Sequence, residues 1–340
     1  MSHVAIIACD HGLGHIRRCY LVAQELLSRG STVDLYAPTA KIDRIRHVLG
    51  DAPGLTTFDF ATKTTPHNLQ NGSPDSLHWP QRLPKLEFYD HVLSDTLPEI
   101  LQQRSDAIIL AQFFWHDVLD DAPPSYVALC EALLRDNRPT IYGSDLFTMP
   151  AVRRQPRFTP VGLYGPGRSR PEMARNRDAL LLSPGSTQQA QKAFERLVGM
   201  LPNPRTLPFD TVYVDAGVLP PNFPDWMRES DYTSEVYSST LAAVCRPGLG
   251  VLTDALWYGA TPICLTTDND REMMHNAEVI TRQGLGYHCH SLEQVIGVIS
   301  SVGSSSSPLR RTRRLAVGDF TAAEWVAKRL LARPDHSQTG

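Results

Sequence analysis

The chain has 340 residues, of which 42% are hydrophobic and 20% are charged, and its formal net charge is −3. This balance is typical of a globular protein long enough for two cores, and it excludes a disordered chain. The small negative charge gives no electrostatic reason to expect a nucleic-acid partner. No apolar run approaches the roughly 18 residues that span a bilayer.

The amino terminus leads into an apolar run, Val4–Cys9, which predicts a buried strand rather than a signal peptide. We therefore expect a cytoplasmic protein whose six scattered cysteines are reduced core thiols. Helical spacing of apolar residues predicts a helix over His15–Arg29, ended by Gly30. A strand at Thr32–Tyr36 and a helix at Lys41–Leu49 follow.

Apolar runs, glycine turns and helix-period segments alternate along the rest of the chain, which is typical of βα units and a parallel sheet. Strands are predicted at Ala107–Phe114, Pro139–Tyr142, Ala179–Leu182, Thr211–Val214, Leu241–Cys245 and Thr261–Leu265. Helices are predicted at Tyr126–Leu134, Ser186–Met200, Leu249–Tyr258, Glu272–Gln283 and Thr321–Ala332. Asp145–Asn176, rich in Pro, Gly and Arg, is interpreted as interdomain linker, and Ser300–Ser307 as a solvated loop. The pattern predicts two doubly wound α/β halves with a cleft between them.

The first motif with candidate catalytic or ligand-binding residues is Asp10-His11-Gly12-Leu13-Gly14-His15-Ile16-Arg17-Arg18. Gly12 and Gly14 allow a tight turn close to a ligand, and His15 at a helix start is a candidate general base. The alternative is a plain glycine turn. Arg17 stands where dinucleotide binders have a third glycine, so that motif is excluded. Arg17 and Arg18 either bind phosphate or an acidic acceptor, or are solvated.

A second motif runs from Cys245 to Pro262, where a strand leads through a glycine loop into a helix. Such a loop suits a diphosphate at the helix N-terminus. Asp254 is either a ribose-binding acid or an ordinary helix acid. In a third motif, Asp268–Ala277, Asn269 and Glu272 fit a capping box. His288-Cys289-His290 alternates over two faces, and we predict no metal site there.

Together these motifs resemble those of the GT-B glycosyltransferases, in particular the peptidoglycan N-acetylglucosaminyltransferase and the UDP-glycosyltransferases. The resemblance implies two Rossmann-like domains facing across a cleft. The N-terminal, acceptor-binding domain would span residues 1–160, with the last helix, 321–332, packed back on it. A linker at 161–177 and a donor-binding domain at 178–320 would follow.

The resemblance also implies roles for individual residues. His15 corresponds to the loop histidine that deprotonates the acceptor hydroxyl or contacts the diphosphate, and Asp254 corresponds to the ribose-binding acid. Glu272 begins the pair that reads the donor sugar. The donor-binding set implied in full is Gly12, Gly14, Gly185, Ser186, Thr187, Arg246, Gly248, Leu249, Gly250, Asp254, Glu272 and Met273. Such sites need neither metal nor cofactor, because helix N-termini stabilise the leaving diphosphate.

Two departures from the family pattern stand out. The second sugar-reading residue, usually glutamine, is Met273. Where plant-type relatives have an aspartate that orients the histidine, this chain has Ala111, and Asp10, His116 and Asp117 are the candidates to replace it. Asp268-Asn269-Asp270 also matches the D-x-D metal motif of GT-A enzymes, but that fold has no second Rossmann-like half preceding the motif.

The predicted function is transfer of a hexosyl or N-acetylhexosaminyl group from a nucleotide sugar, UDP-linked, to an acceptor hydroxyl, with inversion. The acceptor would be a small molecule or a lipid-linked saccharide, the latter reached by peripheral membrane contact. Two alternatives stay open, a nucleotide-sugar hydrolase on the same fold and a non-catalytic nucleotide-sugar-binding subunit.

Overall fold

The structure is a computed structural model that describes residues 1–71, 77–167, 177–202, 207–302, 315 and 317–332. The chain divides into two compact units. The N-terminal unit comprises Met1–Tyr164 and the final helix, and the C-terminal unit comprises Gly165–Phe320. No helix in the described ranges is long and apolar enough to cross a lipid bilayer.

A seven-stranded parallel sheet forms the centre of the N-terminal unit. Its strands are β1 His3–Ile7, β2 Thr32–Ala37, β3 Leu55–Asp59, β4 His91–Asp95, β5 Ile108–Leu110, β6 Ile141–Ser144 and β7 Phe158–Val161. Their order in the sheet is β3-β2-β1-β4-β5-β6-β7. Because every neighbouring pair is parallel, the carboxyl ends of all the strands lie on one edge.

Helices cover both faces of this sheet. They are α1 Leu13–Ser28, α2 Thr39–Leu49, α3 Pro66–Gln70, α4 Trp115–Val118, α5 Pro124–Asn137 and α6 Pro150–Arg153. Successive strand residues face opposite ways, so Ile6 packs in one core with Tyr20 of α1 and Ile7 in another with Tyr126 of α5. Burial on both faces explains why a central strand such as β1 appears in the sequence as a continuous apolar run.

The C-terminal unit contains a second parallel sheet, of six strands. These are β8 Ala179–Ser183, β9 Thr211–Asp215, β10 Met227–Ser230, β11 Thr240–Cys245, β12 Thr261–Leu265 and β13 Tyr287–Cys289. Their order is β10-β9-β8-β11-β12-β13. β8, β11 and β12 are therefore neighbours, and the loops that follow them emerge side by side.

Six further α-helices lie in the described part of the chain. They are α7 Gln188–Met200, α8 Ser234–Ser239, α9 Leu249–Tyr258, α10 Arg271–Arg282, α11 Leu292–Ser301 and α12 Ala322–Leu331. The final helix, α12, buries Ala323, Val326 and Ala327 in the same core as α1. The end of the chain thereby belongs to the N-terminal unit.

The predicted fold class, two doubly wound parallel sheets, is confirmed. All six cysteines are buried free thiols, as predicted. The predicted linker start at Asp145 was wrong, because α6 and β7 lie beyond it. β7 is an edge strand, where the missing N–H of Pro160 costs no ladder hydrogen bond, so its proline did not mark a loop. The predicted loop Ser300–Ser307 was placed two residues too early, because α11 extends to Ser301, and its residues 303–307 lie outside the described residues.

Candidate functional site

The first candidate site lies where β1 leads into α1. Gly12 has φ +80°, a conformation that glycine adopts without strain, and it is the N-cap residue of α1. His15 therefore lies in the first helical turn. Its Nδ1 is 2.6 Å from Oδ2 of Asp95, the last residue of β4. Because β1 and β4 are adjacent, two residues 80 positions apart meet at the sheet edge.

The contact with Asp95 fixes the protonation pattern of His15. A carboxylate accepts hydrogen bonds, so Nδ1 carries the proton and Nε2 keeps its lone pair. The Asp95 side chain is fully buried, whereas that of His15 is 11% exposed. A buried acid that holds a more accessible imidazole in one tautomer is the arrangement of a general base and its orienting carboxylate.

Arg18 binds the other oxygen of Asp95. Its Nε donates to Oδ1 at 2.7 Å, its Nη2 donates to the same oxygen, and Nη2 also donates to the Thr96 hydroxyl at 3.2 Å. Burial opposes the charge on Arg18, but Asp95 together with Tyr164 and Cys19 outweighs that effect, and the pKa of Arg18 is raised. Arg17 is also buried and donates to the Tyr164 carbonyl. Neither guanidinium is simply solvated.

The sequence singled out other acids for the place that Asp95 occupies. The Asp10 carboxylate instead accepts from the Thr62 hydroxyl at 2.7 Å and from the Lys63 amide, which fixes the loop after β3. Ala111 is fully buried just after β5. Asp117 lies in the short helix α4, where burial raises its pKa to about 6. The sequence feature that would have indicated Asp95 is an aspartate at the carboxyl end of a short apolar strand.

Aromatic side chains from the segment after β5 surround His15. The His15 ring centroid is 5.9 Å from that of Phe113 and 6.2 Å from that of Trp115, and Trp115 also contacts His11 edge-on at 5.1 Å. Phe113 and Trp115 are both buried. These rings restrict the imidazole to a few orientations and keep water away from one side of it.

The second candidate site lies at the carboxyl edge of the C-terminal sheet. Gly185, with φ +73°, and Ser186 are exposed in the loop after β8, and Thr187 caps α7 by accepting from the Ala190 amide. α9 begins after Gly248 without a side-chain cap. Its first N–H groups are therefore the kind that bind an anion.

The remaining donor-site candidates lie on α9 and α10. Leu249 and Gly250 form the first turn of α9, and Asp254 is buried further along the same helix, 7% exposed. On α10, Glu272 is partly exposed, while Met273 is 4% exposed and packs inward. The structure thus places Met273 in the core and leaves Glu272 nearer to the surface.

The acidic motif before α10 has a different local role from the predicted one. Asp270, not Asn269, is the N-cap residue, and its Oδ1 accepts from the amides of Glu272 at 3.0 Å and Met273 at 3.2 Å. The capping box with Asn269 was wrong by one residue because the helix begins at Arg271. Oδ2 of Asp270 accepts from Arg246 at 2.5 Å.

A groove of about 600 Å³ opens beside these loops, bordered by Gln188, Gln189, Thr267 and His290. This volume is within the range of about 300 to 1,000 Å³ that small-molecule sites occupy. Within the described residues no three His, Cys, Asp or Glu side chains are grouped to hold a metal ion. His288 instead hydrogen bonds to the Thr266 hydroxyl at 2.8 Å.

Four residues beyond Asp95, Glu99 gives a testable pH dependence. It is fully buried beside Tyr126, and burial raises its pKa from 4.5 to about 7. The protonated side chain therefore contributes about 3 kcal/mol to the free energy of unfolding relative to the ionised one. This contribution is complete below pH 4.5 and is lost as the pH rises from 4.5 to 7. We expect Glu99→Gln to remove this decline, measured by urea unfolding from pH 4.5 to 8.

The exposed Glu195→Gln on α7 is the control for Glu99→Gln and should leave the decline unchanged. Asp117 and His116 also titrate in this range. Burial raises the pKa of Asp117 to about 6 and lowers that of His116 to about 4. The informative quantity is therefore the difference in unfolding free energy between Glu99→Gln and the unaltered protein at each pH. A parallel pH profile for the two would contradict the assignment.

Comparison with known proteins supports the architecture. No protein-family model and no curated protein sequence matches the chain. The calicheamicin glycosyltransferase CalG4 superposes with a TM-score of 0.65 at 15% identity, covering 97% of each chain. SnogD, a glycosyltransferase from Streptomyces nogalater, gives 0.62 at 17% identity, covering 97% of this chain and 99% of that one.

A plant structure matches equally well. UGT89C1 of Arabidopsis thaliana in complex with UDP gives a TM-score of 0.62 at 11% identity, covering 98% of this chain and all of that one. At such identities the likeness shows a shared fold. The chain therefore has the GT-B fold, and the fold-level resemblance predicted from its motifs is confirmed.

Proposed function

We propose that the protein is a glycosyltransferase that moves a sugar from a nucleotide donor to an acceptor hydroxyl. The observation that carries the proposal is the pairing of His15 with the buried Asp95 at the start of α1. On a fold whose solved neighbours are glycosyltransferases, an oriented base at a glycine loop fits deprotonation of an alcohol. The sugar is proposed to be a hexose or an N-acetylhexosamine.

The donor is proposed to be a UDP-sugar bound by the C-terminal unit. The uncapped start of α9 suits the diphosphate, and Asp254 is the proposed ligand of the ribose hydroxyls. Structural neighbours were solved with UDP and with UDP-L-rhamnose, which favours a uridine donor. One was solved with quercetin, which favours a small hydroxylated acceptor.

The proposed reaction is a single displacement. The acceptor oxygen forms a bond to the anomeric carbon as its proton passes to Nε2 of His15. The bond from that carbon to the diphosphate oxygen breaks, and the electron pair leaves with the nucleoside diphosphate. Asp95 stabilises the imidazolium that forms, and helix N-termini stabilise the leaving group. Attack opposite to departure inverts the anomeric configuration.

Nucleotide binding tests the donor site. We expect one of UDP, TDP, GDP, ADP and CMP, with UDP favoured, to raise the melting temperature in the presence of chelator. A ligand at 100 times its dissociation constant stabilises by about 2.7 kcal/mol. Asp254→Ala should abolish the shift measured from its own ligand-free value, and Glu278→Ala, which removes an exposed acid of α10, should retain it. No shift with any nucleotide would contradict the proposal.

A further inference from the structure

We propose that Asp268 and Asp270 compete with the donor diphosphate for the guanidinium of Arg246 and release it when the diphosphate binds. The inference rests on the proposed function, in which the family resemblance already implies Arg246 as a donor-binding residue, and it adds the competition between anions at that residue. In this account the two carboxylates of the D-x-D motif act as internal substitutes for phosphate, and they are not metal ligands.

Arg246 lies where three loops converge. It follows β11, its amide donates to the Ser183 carbonyl at the end of β8 at 3.0 Å, and its guanidinium reaches the loop after β12. A Cβ added to Gly185 would lie 3.7 Å from Arg246 Cδ, so the arginine stem runs beside the loop that opens α7. Arg246 thus lies among the loops that follow β8, β11 and β12.

The charges at this point favour an anion. α7, α9 and α10 all begin here, and a helix N-terminus carries roughly half a positive charge. Thr187 and Asp270 cap α7 and α10, but α9 has no side-chain cap. Three helix starts and one guanidinium therefore lie at the same edge of the sheet as the carboxylates of Asp268 and Asp270.

The existing contacts leave the guanidinium incompletely bound. Nη2 donates to Asp270 at 2.5 Å, but Nε is 3.6 Å from Asp268, beyond hydrogen-bond distance. Nε is buried and has no hydrogen-bond acceptor among the described residues. A phosphate group accepts from Nε and Nη2 together, in the bidentate geometry that arginine prefers. The diphosphate would therefore satisfy a donor that the aspartates leave unsatisfied.

Exchange of one anion for the other is physically reasonable. The side chains of Asp268 and Asp270 are 20% and 33% exposed, so both are solvated on release. Partly exposed ion pairs are weak, whereas a diphosphate brings more charge and better geometry to the same guanidinium. Asp270 remains tied to α10 through Oδ1, so its release from Arg246 does not remove the cap.

The test is calorimetric titration of the full chain with inorganic pyrophosphate and with UDP, in chelator. We expect Asp268→Asn and Asp270→Asn each to bind both ligands about two- to fivefold more tightly, since a competing carboxylate is lost. Asparagine retains the capping acceptor at position 270. Arg246→Gln should weaken binding at least about tenfold, and Arg246→Lys should restore part of it.

Asp225→Asn supplies the matched control, because it makes the same charge change just before β10, at the opposite edge of the sheet. It should leave both affinities unchanged. An unchanged or weaker affinity in Asp268→Asn, or binding that requires a divalent metal, overturns the inference while leaving the donor site intact. An unaltered protein that binds no nucleoside diphosphate overturns the inference and the proposed function together.

Discussion

Replacing His15 by alanine is expected to lower the rate of sugar transfer by about 10²- to 10⁴-fold, the usual contribution of a positioned general base. The reason is that Nε2 of His15 is the proposed proton acceptor, while Nδ1 is committed to Asp95. Nucleoside diphosphate binding should change little, because the start of α9 and Asp254, the proposed diphosphate and ribose ligands, belong to the C-terminal unit. The measurement is the initial rate of UDP release from UDP-hexoses with quercetin as acceptor.

His47→Ala is the control for this variant. His47 is exposed on α2, so its removal tests whether loss of any histidine lowers the rate. Its activity should equal that of the unaltered protein. If His15→Ala retained more than about a tenth of the original rate, the assignment of His15 as the base would be wrong.

The largest expected effect on stability comes from the buried ion pair behind that base. Asp95 is fully buried and the Arg18 side chain is 6% exposed, so removing either charge leaves the other without its partner. Breaking such a pair costs about 3 to 5 kcal/mol of unfolding free energy. We therefore expect Asp95→Asn and Arg18→Gln each to destabilise the protein by that amount in urea unfolding.

The double variant shows whether the stability loss comes from the interaction between Arg18 and Asp95 or from unrelated damage to the core. Arg18→Gln with Asp95→Asn leaves no unpaired charge in the core, so its loss of stability should be well below the sum of the single losses. Asp136→Asn, which breaks an exposed contact with Arg135, should change stability by less than about 0.5 kcal/mol. Additive losses at positions 18 and 95 would show that the two charges do not interact.

The fold was predictable where glycine and apolar residues coincide. α9 and β12 have the predicted bounds, Leu249–Tyr258 and Thr261–Leu265, because Gly248 precedes the helix and Gly259, with φ +73°, ends it. β4 was missed because only Val92 and Leu93 form its apolar centre. A strand this short resembles a loop in a single sequence.

The candidate site was predictable only in part, for a related reason. His15 and Arg18 are three residues apart on a helix, and they therefore lie on one face. Asp95, which binds both, comes from the missed strand, and its closeness depends on β4 being the neighbour of β1. Sheet order is set by tertiary packing, so no local pattern indicates that pairing.

Arg246 illustrates the same limit in the C-terminal unit. Its loop was recognisable from the glycines after β11, but its contact with Asp270 depends on β11 and β12 being adjacent in the sheet. The D-x-D pattern also matched a metal motif, against which the second Rossmann-like half was the argument. In the structure both carboxylates of this motif lie beside the guanidinium of Arg246.

The most direct test of the central claim is mass spectrometry of the acceptor after incubation with UDP-hexoses and UDP-N-acetylhexosamines in chelator. The account predicts an acceptor heavier by one sugar residue, formed by the unaltered protein and by His47→Ala but not by His15→Ala. Release of free sugar at the same rate with and without acceptor, and no glycosylated product, would contradict transfer and indicate hydrolysis.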